Sequence, residues 1–155
     1  MNASRQTPRT TRRADAVRAA ARLARVSGAA LAEAELTLAQ YRVLVFLDTA
    51  PRPASDVAAL LDVTPSTVTS VVDGLVHRHL VARGQDPGDR RRVMLSLTDT
   101  GREALDEGDQ VVAERLGRLL DRLDDDGAEA VLHGLETLNG AMELFIEEKF
   151  GRPEP

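Results

Sequence analysis

Apolar positions recur at helical spacing over most of this chain, and the recurrence breaks at a few well-marked places. Over Ala14–Ala32 an alanine-rich stretch places Val17, Ala20, Ala21, Ala24 and Leu31 along one face, which predicts a first helix. A second helix has a defined start. Thr37 and Gln40 have capping-box spacing, and Leu36 and Tyr41 stand where a hydrophobic staple would close. It carries Leu44, Val45 and Leu47 and stops before Pro51-Arg52-Pro53. A third helix is expected from an N-cap at Ser55, with Val57, Ala58, Leu60 and Leu61 as its apolar positions. Asp62-Val63 then makes a short turn. Thr64 as N-cap and Pro65 at the first helical position start a fourth helix that runs to about His79. Two short helices joined so tightly form a helix-turn-helix pattern.

After the fourth helix the period changes to two. Val93, Leu95 and Leu97 alternate with Met94 and Ser96, and Val81–Gln85 supplies an antiparallel partner. Asp86-Pro87-Gly88-Asp89 between them is turn chemistry, so a β-hairpin with a charged tip, a wing, is predicted. Thr98 or Thr100 caps a fifth helix, Thr100 having capping-box spacing with Glu103. Its stripe is Leu105, Val112, Leu116, Leu119 and Leu123, close to heptad spacing. Asp126 with Glu129 opens a sixth helix striped by Val131, Leu135, Leu138, Met142 and Ile146, and Gly151 and Pro153 end it. The expected fold class is therefore mainly α with a small β-hairpin, in one domain over residues 1–155. Leu105, Leu116, Leu119, Val131, Leu135 and Leu138 are expected in buried helical seams. The pattern does not divide them between the chain's own core and a partner.

Composition narrows the function. The chain has 155 residues, 43% hydrophobic and 29% charged, enough to fold around one core. It has no cysteine, which excludes disulfides, thiolate metal sites, a cysteine nucleophile and a thiol redox switch, and makes a reducing cytoplasm the expected compartment. The longest apolar run, Val43 to Leu47, is far below the ~18 residues of a membrane span. The arginines at 5, 9, 12 and 13 resemble a targeting segment, but no hydrophobic stretch follows, so a solvated basic arm is expected. His77, His79 and His133 have no metal-ligand spacing, and there is no glycine-rich phosphate loop or nucleophile motif. The Asp124-Asp125-Asp126 run reads as helix-capping rather than as a cation site. No enzyme, metal or cofactor is expected.

Net charge is −5, which at first disfavours nucleic acid, but the charge is polarised. Residues 1–50 hold eight arginines against four acids, residues 51–98 six against five, and residues 99–155 six basic groups against sixteen acids. One end can face phosphate while the other faces away. The fourth helix splits into an apolar face (Val68, Val71, Val72, Leu75) and an outer face (Ser66, Thr67, Ser70, Asp73, His77). Short hydroxyl side chains at a helix N-terminus suit major-groove base edges and phosphates, and the solvated faces of ordinary helices carry Glu and Lys instead. Arg90, Arg91 and Arg92 at the wing tip suit a minor groove or phosphates, with Asp86 and Asp89 expected to pair with some of them. The candidate DNA-binding set is Ser55, Thr64, Pro65, Ser66, Thr67, Thr69, Ser70, Arg78, Asp89, Arg90, Arg91 and Arg92.

Four segments carry a specific resemblance: Leu36-Thr37-Leu38-Ala39-Gln40-Tyr41, Val63-Thr64-Pro65-Ser66-Thr67-Val68-Thr69, Asp86-Pro87-Gly88-Asp89-Arg90-Arg91, and Leu95-Ser96-Leu97-Thr98-Asp99-Thr100-Gly101. Together they resemble the MarR family of bacterial regulators. The wing motif and the following Leu-x-Leu-Thr-x-x-Gly are the most diagnostic. The resemblance implies a winged helix-turn-helix at 36–98 embedded between dimerisation helices at 1–35 and 99–155. It implies a homodimer that binds a pseudo-palindromic double-stranded DNA operator, in many members as a repressor released by a small-molecule effector. The family's wing aspartate and arginine fall on Asp89 and Arg91, and its recognition-helix contacts on Ser66, Thr67, Thr69 and Ser70. Its effector pocket would lie near Tyr41 and Val45. Aromatic residues are only 3% of the chain, which makes a strongly aromatic-stacking pocket hard to build, so a phenolic or aliphatic effector is expected, or a ligand-independent regulator. The family usually has glycine where His79 stands, and often a larger basic residue near Ser70 or Gly74. Wing angle and base preference should differ accordingly. A winged helix turned to a protein partner is the competing reading; DNA binding would weaken steeply with salt, with a slope of roughly −0.9 per phosphate neutralised.

Overall fold

The computed structural model describes residues 7–63, 65–86, 88–89 and 91–151. Its helices are α1 (Thr7–Leu31), α2 (Leu38–Asp48), α3 (Ala54–Leu61), α4 (Pro65–His77), α5 (Asp99–Leu120) and α6 (Asp125–Phe150). A short 3-10 turn, Ala32–Ala34, links α1 to α2. Three strands, β1 (Arg52–Pro53), β2 (Val81–Gln85) and β3 (Val93–Leu97), form an antiparallel sheet in the order β1-β3-β2. The hairpin register runs from Val81 opposite Leu97 to Gln85 opposite Val93.

The predicted α-rich architecture stands, with local corrections. The sheet has a third strand, because Arg52 and Pro53 pair with Leu95 and Met94. Both prolines there sit at or beside the sheet edge, where a missing N–H costs nothing. Helix α1 starts at Thr7, earlier than Ala14. Ser55 is not an N-cap: α3 begins at Ala54 after Pro53, and the Ser55 hydroxyl bonds the Asp56 carboxylate at 3.2 Å. Thr98, not Thr100, caps α5, accepting the Gly101 N–H. Asp124, not Asp126, caps α6, accepting the Gly127 N–H at 2.9 Å. In both acidic starts several residues have cap chemistry, and backbone geometry selects the one in extended conformation. The Thr37–Gln40 capping box forms in both directions. Thr64 and Pro153 lie outside the described residues.

The core lies within the winged-helix unit and the ends of α1 and α5. Leu31, Val43, Leu44, Leu47, Val57, Leu75, Val81 and Leu95 are its fully buried large side chains. Leu36 and Tyr41 converge over Gly108 of α5, where both would meet an added Cβ at 3.2 Å. The predicted helical seams divide sharply. Leu105 is buried, Leu116 and Leu135 are half-buried, and Leu119, Val131 and Leu138 are exposed. Val17, Ala20, Ala21 and Ala24 of α1 are exposed as well. No residue of α6 is buried within the chain.

Among the described residues, three other than glycine end their elements in the left-handed region: Glu35, Asp62 and His79. At His79 (φ 59°) the N–H of His79 reaches Val76 and that of Leu80 reaches Leu75, a complete Schellman ending for α4. The histidine therefore adopts the conformation that glycine holds at lower cost. His79→Gly should raise stability by about 1 kcal/mol, readable as a higher denaturation midpoint. Gly101 shows the opposite constraint. A Cβ there would overlap the Leu80 carbonyl oxygen and press on Leu97 Cδ1 at 2.8 Å. Since the carbonyl is backbone, Gly101→Ala should cost about 3 kcal/mol in the same assay.

Candidate nucleic-acid interface

Helix α4 presents the two faces its sequence predicts. Val68, Val72 and Leu75 are buried and Val71 half-buried, while Ser66, Thr67, Thr69, Ser70, Asp73 and His77 are exposed. Pro65 opens the helix. The hydroxyl side chains therefore cluster on the outer surface of its first turns, next to an N-terminus whose first amides point along the axis.

The wing is folded by its aspartates. The Asp86 carboxylate accepts the N–H groups of Gly88 at 2.8 Å and Asp89 at 3.3 Å. The Asp89 carboxylate accepts the Arg91 N–H at 3.0 Å. The Asp86 N–H reaches the Arg92 carbonyl, closing the tip. Of the expected carboxylate–guanidinium pairs, Asp86–Arg92 forms at 3.9 Å, whereas Asp89 works on the backbone. Arg91 is exposed and Arg90 lies outside the described residues.

One contact the sequence reading missed ties wing to recognition helix. Arg83 of β2 donates to Asp73 of α4 at 2.5 Å. The two residues are ten apart, and they meet because β2 folds back along α4 after the turn at His79. At the base of the wing, the Thr98 hydroxyl lies 2.7 Å from the His79 carbonyl and 3.1 Å from that of Leu80, and accepts the Gly101 N–H at 2.9 Å. Arg78 is engaged within the chain: it donates to the Glu35 carbonyl at 2.6 Å, with the Glu35 carboxylate 3.8 Å away. Ser55 sits in the first turn of α3, exposed.

Tyr41 and Val45, the candidate effector residues, stand one turn apart on α2. Val45 is exposed, while Tyr41 packs against the core and its hydroxyl donates to Asp109 of α5 at 2.5 Å. Burial, together with the Asp109 carboxylate, raises the Tyr41 pKa well above the ordinary phenol value. No cluster of three or more metal-ligating side chains occurs among the described residues. No described helix is long and apolar enough to cross a membrane.

Comparison with known proteins agrees with this geometry. The model of the MarR family matches residues 34–92. The transcriptional regulator HosA of Escherichia coli O111:H- is 36% identical over 92 residues, 55% of this chain and 67% of HosA. The transcriptional repressor CouR, solved bound to a 23-mer DNA duplex, is 34% identical, with 81% of this chain and 89% of CouR covered at a TM-score of 0.65. RV1404 from Mycobacterium tuberculosis superposes with a TM-score of 0.72 at 26% identity, over 91% of this chain and 97% of that one. Among the first curated relatives the match is shorter, spanning 59% and 46% of their lengths.

Tyr41 is the only tyrosine. Absorbance of phenolate near 295 nm therefore reports it alone, and its titration should begin only above the usual range near pH 10. Because the folded pKa is raised, the stabilisation is complete below the unfolded value and is lost as pH rises through the folded one. Asp109→Asn should bring the titration down only part of the way, since burial is the larger cause.

Proposed function

The chain belongs to the MarR family of transcriptional regulators, and on that premise we propose that it binds a pseudo-palindromic DNA operator as a homodimeric, cytoplasmic repressor. Proteins of this family are DNA-binding regulators without enzymatic activity. The observation that carries the proposal is the joint presentation of the α4 hydroxyl face and the arginine wing, held together by the Asp73–Arg83 pair.

Ser66, Thr67, Thr69 and Ser70 read base edges and adjacent phosphates in the major groove. Thr64, Pro65 and the first amides of α4 meet the phosphate backbone, with Ser55 flanking it, while Arg78 stays on Glu35. Arg90, Arg91 and Arg92 enter the neighbouring minor groove, with Asp89 holding the Arg91 amide. The small Ser70 and Gly74 leave this face with few cations, so base contacts weigh more than phosphate contacts.

Dimerisation accounts for surfaces that one chain leaves uncovered. Leu119, Leu123, Val131, Leu138, Met142, Leu144 and Phe145 are exposed large hydrophobics on or between α5 and α6. So many exposed large apolar side chains on two neighbouring helices point to an interface. Helix α1 holds six arginines against one acid, and α6 seven acids against one lysine, so the two are electrostatically complementary between copies. A two-fold dimer sets the two copies of α4 in successive major grooves, ~34 Å apart. The effector, where one acts, is a small aliphatic or phenolic molecule taken near Tyr41 and Val45. It would compete with the Tyr41–Asp109 bond.

Fluorescence anisotropy with the DNA upstream of the gene and a scrambled control, over a salt series, tests the reading. Selective binding with a steep salt slope is expected. Equal, weak binding to both duplexes would turn the winged helix toward a protein partner. Arg91→Ala should weaken operator binding about tenfold and lower the salt slope by about one unit, with sedimentation still giving a dimer. Ser66→Ala and Ser70→Ala should change the sequence recovered from a randomised operator; an unchanged sequence removes them from base readout.

A further inference from the structure

Helix α6 is 26 residues long and has no buried residue, yet its last turn is fastened to the winged-helix unit. The fastening is unusual in chemistry. Arg52 of β1 is 6% exposed, buried among apolar groups. Its guanidinium lies 5.1 Å from the Phe46 ring centroid, and Phe46 meets Phe150 of α6 edge-on at 5.2 Å. The Arg52 Nη1 donates to the carbonyls of Phe150 at 3.4 Å and Gly151 at 3.2 Å. The Arg52 Nε is buried with no acceptor among the described residues. In the other direction, Lys149 of α6 donates to the Ala59 carbonyl in the last turn of α3 at 3.1 Å, its ammonium 5.2 Å from the Phe150 ring centroid. Each helix thus has C-terminal carbonyls satisfied by a cation from the other side of the contact. These are the groups a helix leaves unpaired, at the end where its dipole favours positive charge. Lys149 is the only lysine in the chain.

A buried guanidinium is a costly way to hold two apolar surfaces together, because a well-packed apolar side chain of similar volume often does so at equal or better stability. What the cation adds is direction. Two carbonyls and an aromatic face fix where the end of α6 sits, which apolar contact alone leaves free to slide. Ile146 and Phe150 are the residues of α6 that pack against the core. The helix is about 39 Å long, joined to α5 through a short turn at its start and clamped to the winged-helix unit at its end.

We propose that Arg52 and Lys149 form a reciprocal helix-end clamp that fixes the angle of the winged-helix unit against α6, and that both are positioning residues for the spacing between the two DNA-reading helices. The clamp itself stands on the contacts above; its consequence for spacing rests on the dimeric DNA-binding reading. Neither side chain touches DNA in this assignment. Angular freedom at the clamp, magnified along α6, appears as variation in the distance between wings.

The test uses the full chain with Arg52→Met, which keeps apolar bulk, and separately Lys149→Met, at an exposed position that leaves the core intact. Since the chain has no cysteine, Ala82→Cys on the exposed side of β2 accepts a single spin label per protomer. Three readouts are taken: amide exchange over 147–151, the label-to-label distance distribution, and affinity for the operator against one lengthened between half-sites by one base pair, ~3.4 Å. In both variants exchange over 147–151 should rise at least tenfold with α4 amides unchanged. The distance distribution should at least double in width, and discrimination against the lengthened operator should fall about tenfold. Unchanged exchange in both variants overturns the clamp. Faster exchange with unaltered distance width and spacing discrimination overturns the positioning role. If the unsubstituted chain binds no DNA, the functional reading fails, and the exchange data still decide the clamp.

Discussion

The carbonyl of Leu80 is the point on which the geometry of this molecule turns. It accepts the Thr98 N–H at 3.2 Å and the Thr98 hydroxyl at 3.1 Å, and it occupies the space a side chain on Gly101 would need. Leu80 follows the end of α4, Thr98 follows β3, and Gly101 lies in the first turn of α5. Recognition helix, wing and long helix therefore meet at one backbone oxygen. Few side-chain choices satisfy that meeting: an N-cap hydroxyl at 98, glycine at 101, and a residue tolerant of the left-handed region at 79. The Asp73–Arg83 pair then braces the wing against α4 from the outside. An exposed pair of this kind is worth little to stability. Its value is in the relative direction of the two DNA-facing elements.

The sequence made the local chemistry legible and left the long-range contacts obscure. The period change at Val81–Leu97 and the turn aspartates gave the wing and its two strands, and the Thr37–Gln40 box gave the start of α2 to the residue. The apolar and hydroxyl faces of α4 also came through intact, because a helix with one buried face writes both faces at a spacing of 3.6. Other features depended on partners distant in sequence. Strand β1 is two residues, the second a proline, too short for any alternation to register, and only its pairing with β3 defines it. Arg52 looked like part of a helix stop, since nothing local says that Phe150, 98 positions away, will deliver carbonyls to it. Arg78 looked available because Glu35 is not near it in sequence. The cap choices failed for a different reason: where Ser, Thr or Asp occur in runs, cap chemistry is present at several positions, and the chain's path selects among them.

The same limit explains the seams of α5 and α6. Heptad-like spacing predicts that a stripe will be covered, but says nothing of what covers it. Leu105 and the half-buried Val112 find their cover in their own chain, and beyond them the stripe leaves the core. Exposure of Leu119, Val131 and Leu138 is what a helical arm looks like before its counterpart is added. In the dimer proposed above, stability and assembly are inseparable, because such apolar surface is withdrawn from water only on association.

Charge completes the account. A net charge of −5 would repel a polyanion if it were spread evenly. It is not. Helix α5 starts at the base of the wing and runs about 33 Å to its other end. Asp121, Asp124, Asp125 and Asp126 gather there, beyond three Debye lengths at physiological salt. The acids of α4 and of the wing are already in use: Asp73 on Arg83, Asp86 on Gly88, Asp89 and Arg92, and Asp89 on the Arg91 amide. A carboxylate that accepts backbone N–H groups shapes a turn without cancelling the guanidinium beside it. The aspartates of the tip are thus compatible with a positive wing, and they are the reason its arginines have a direction at all.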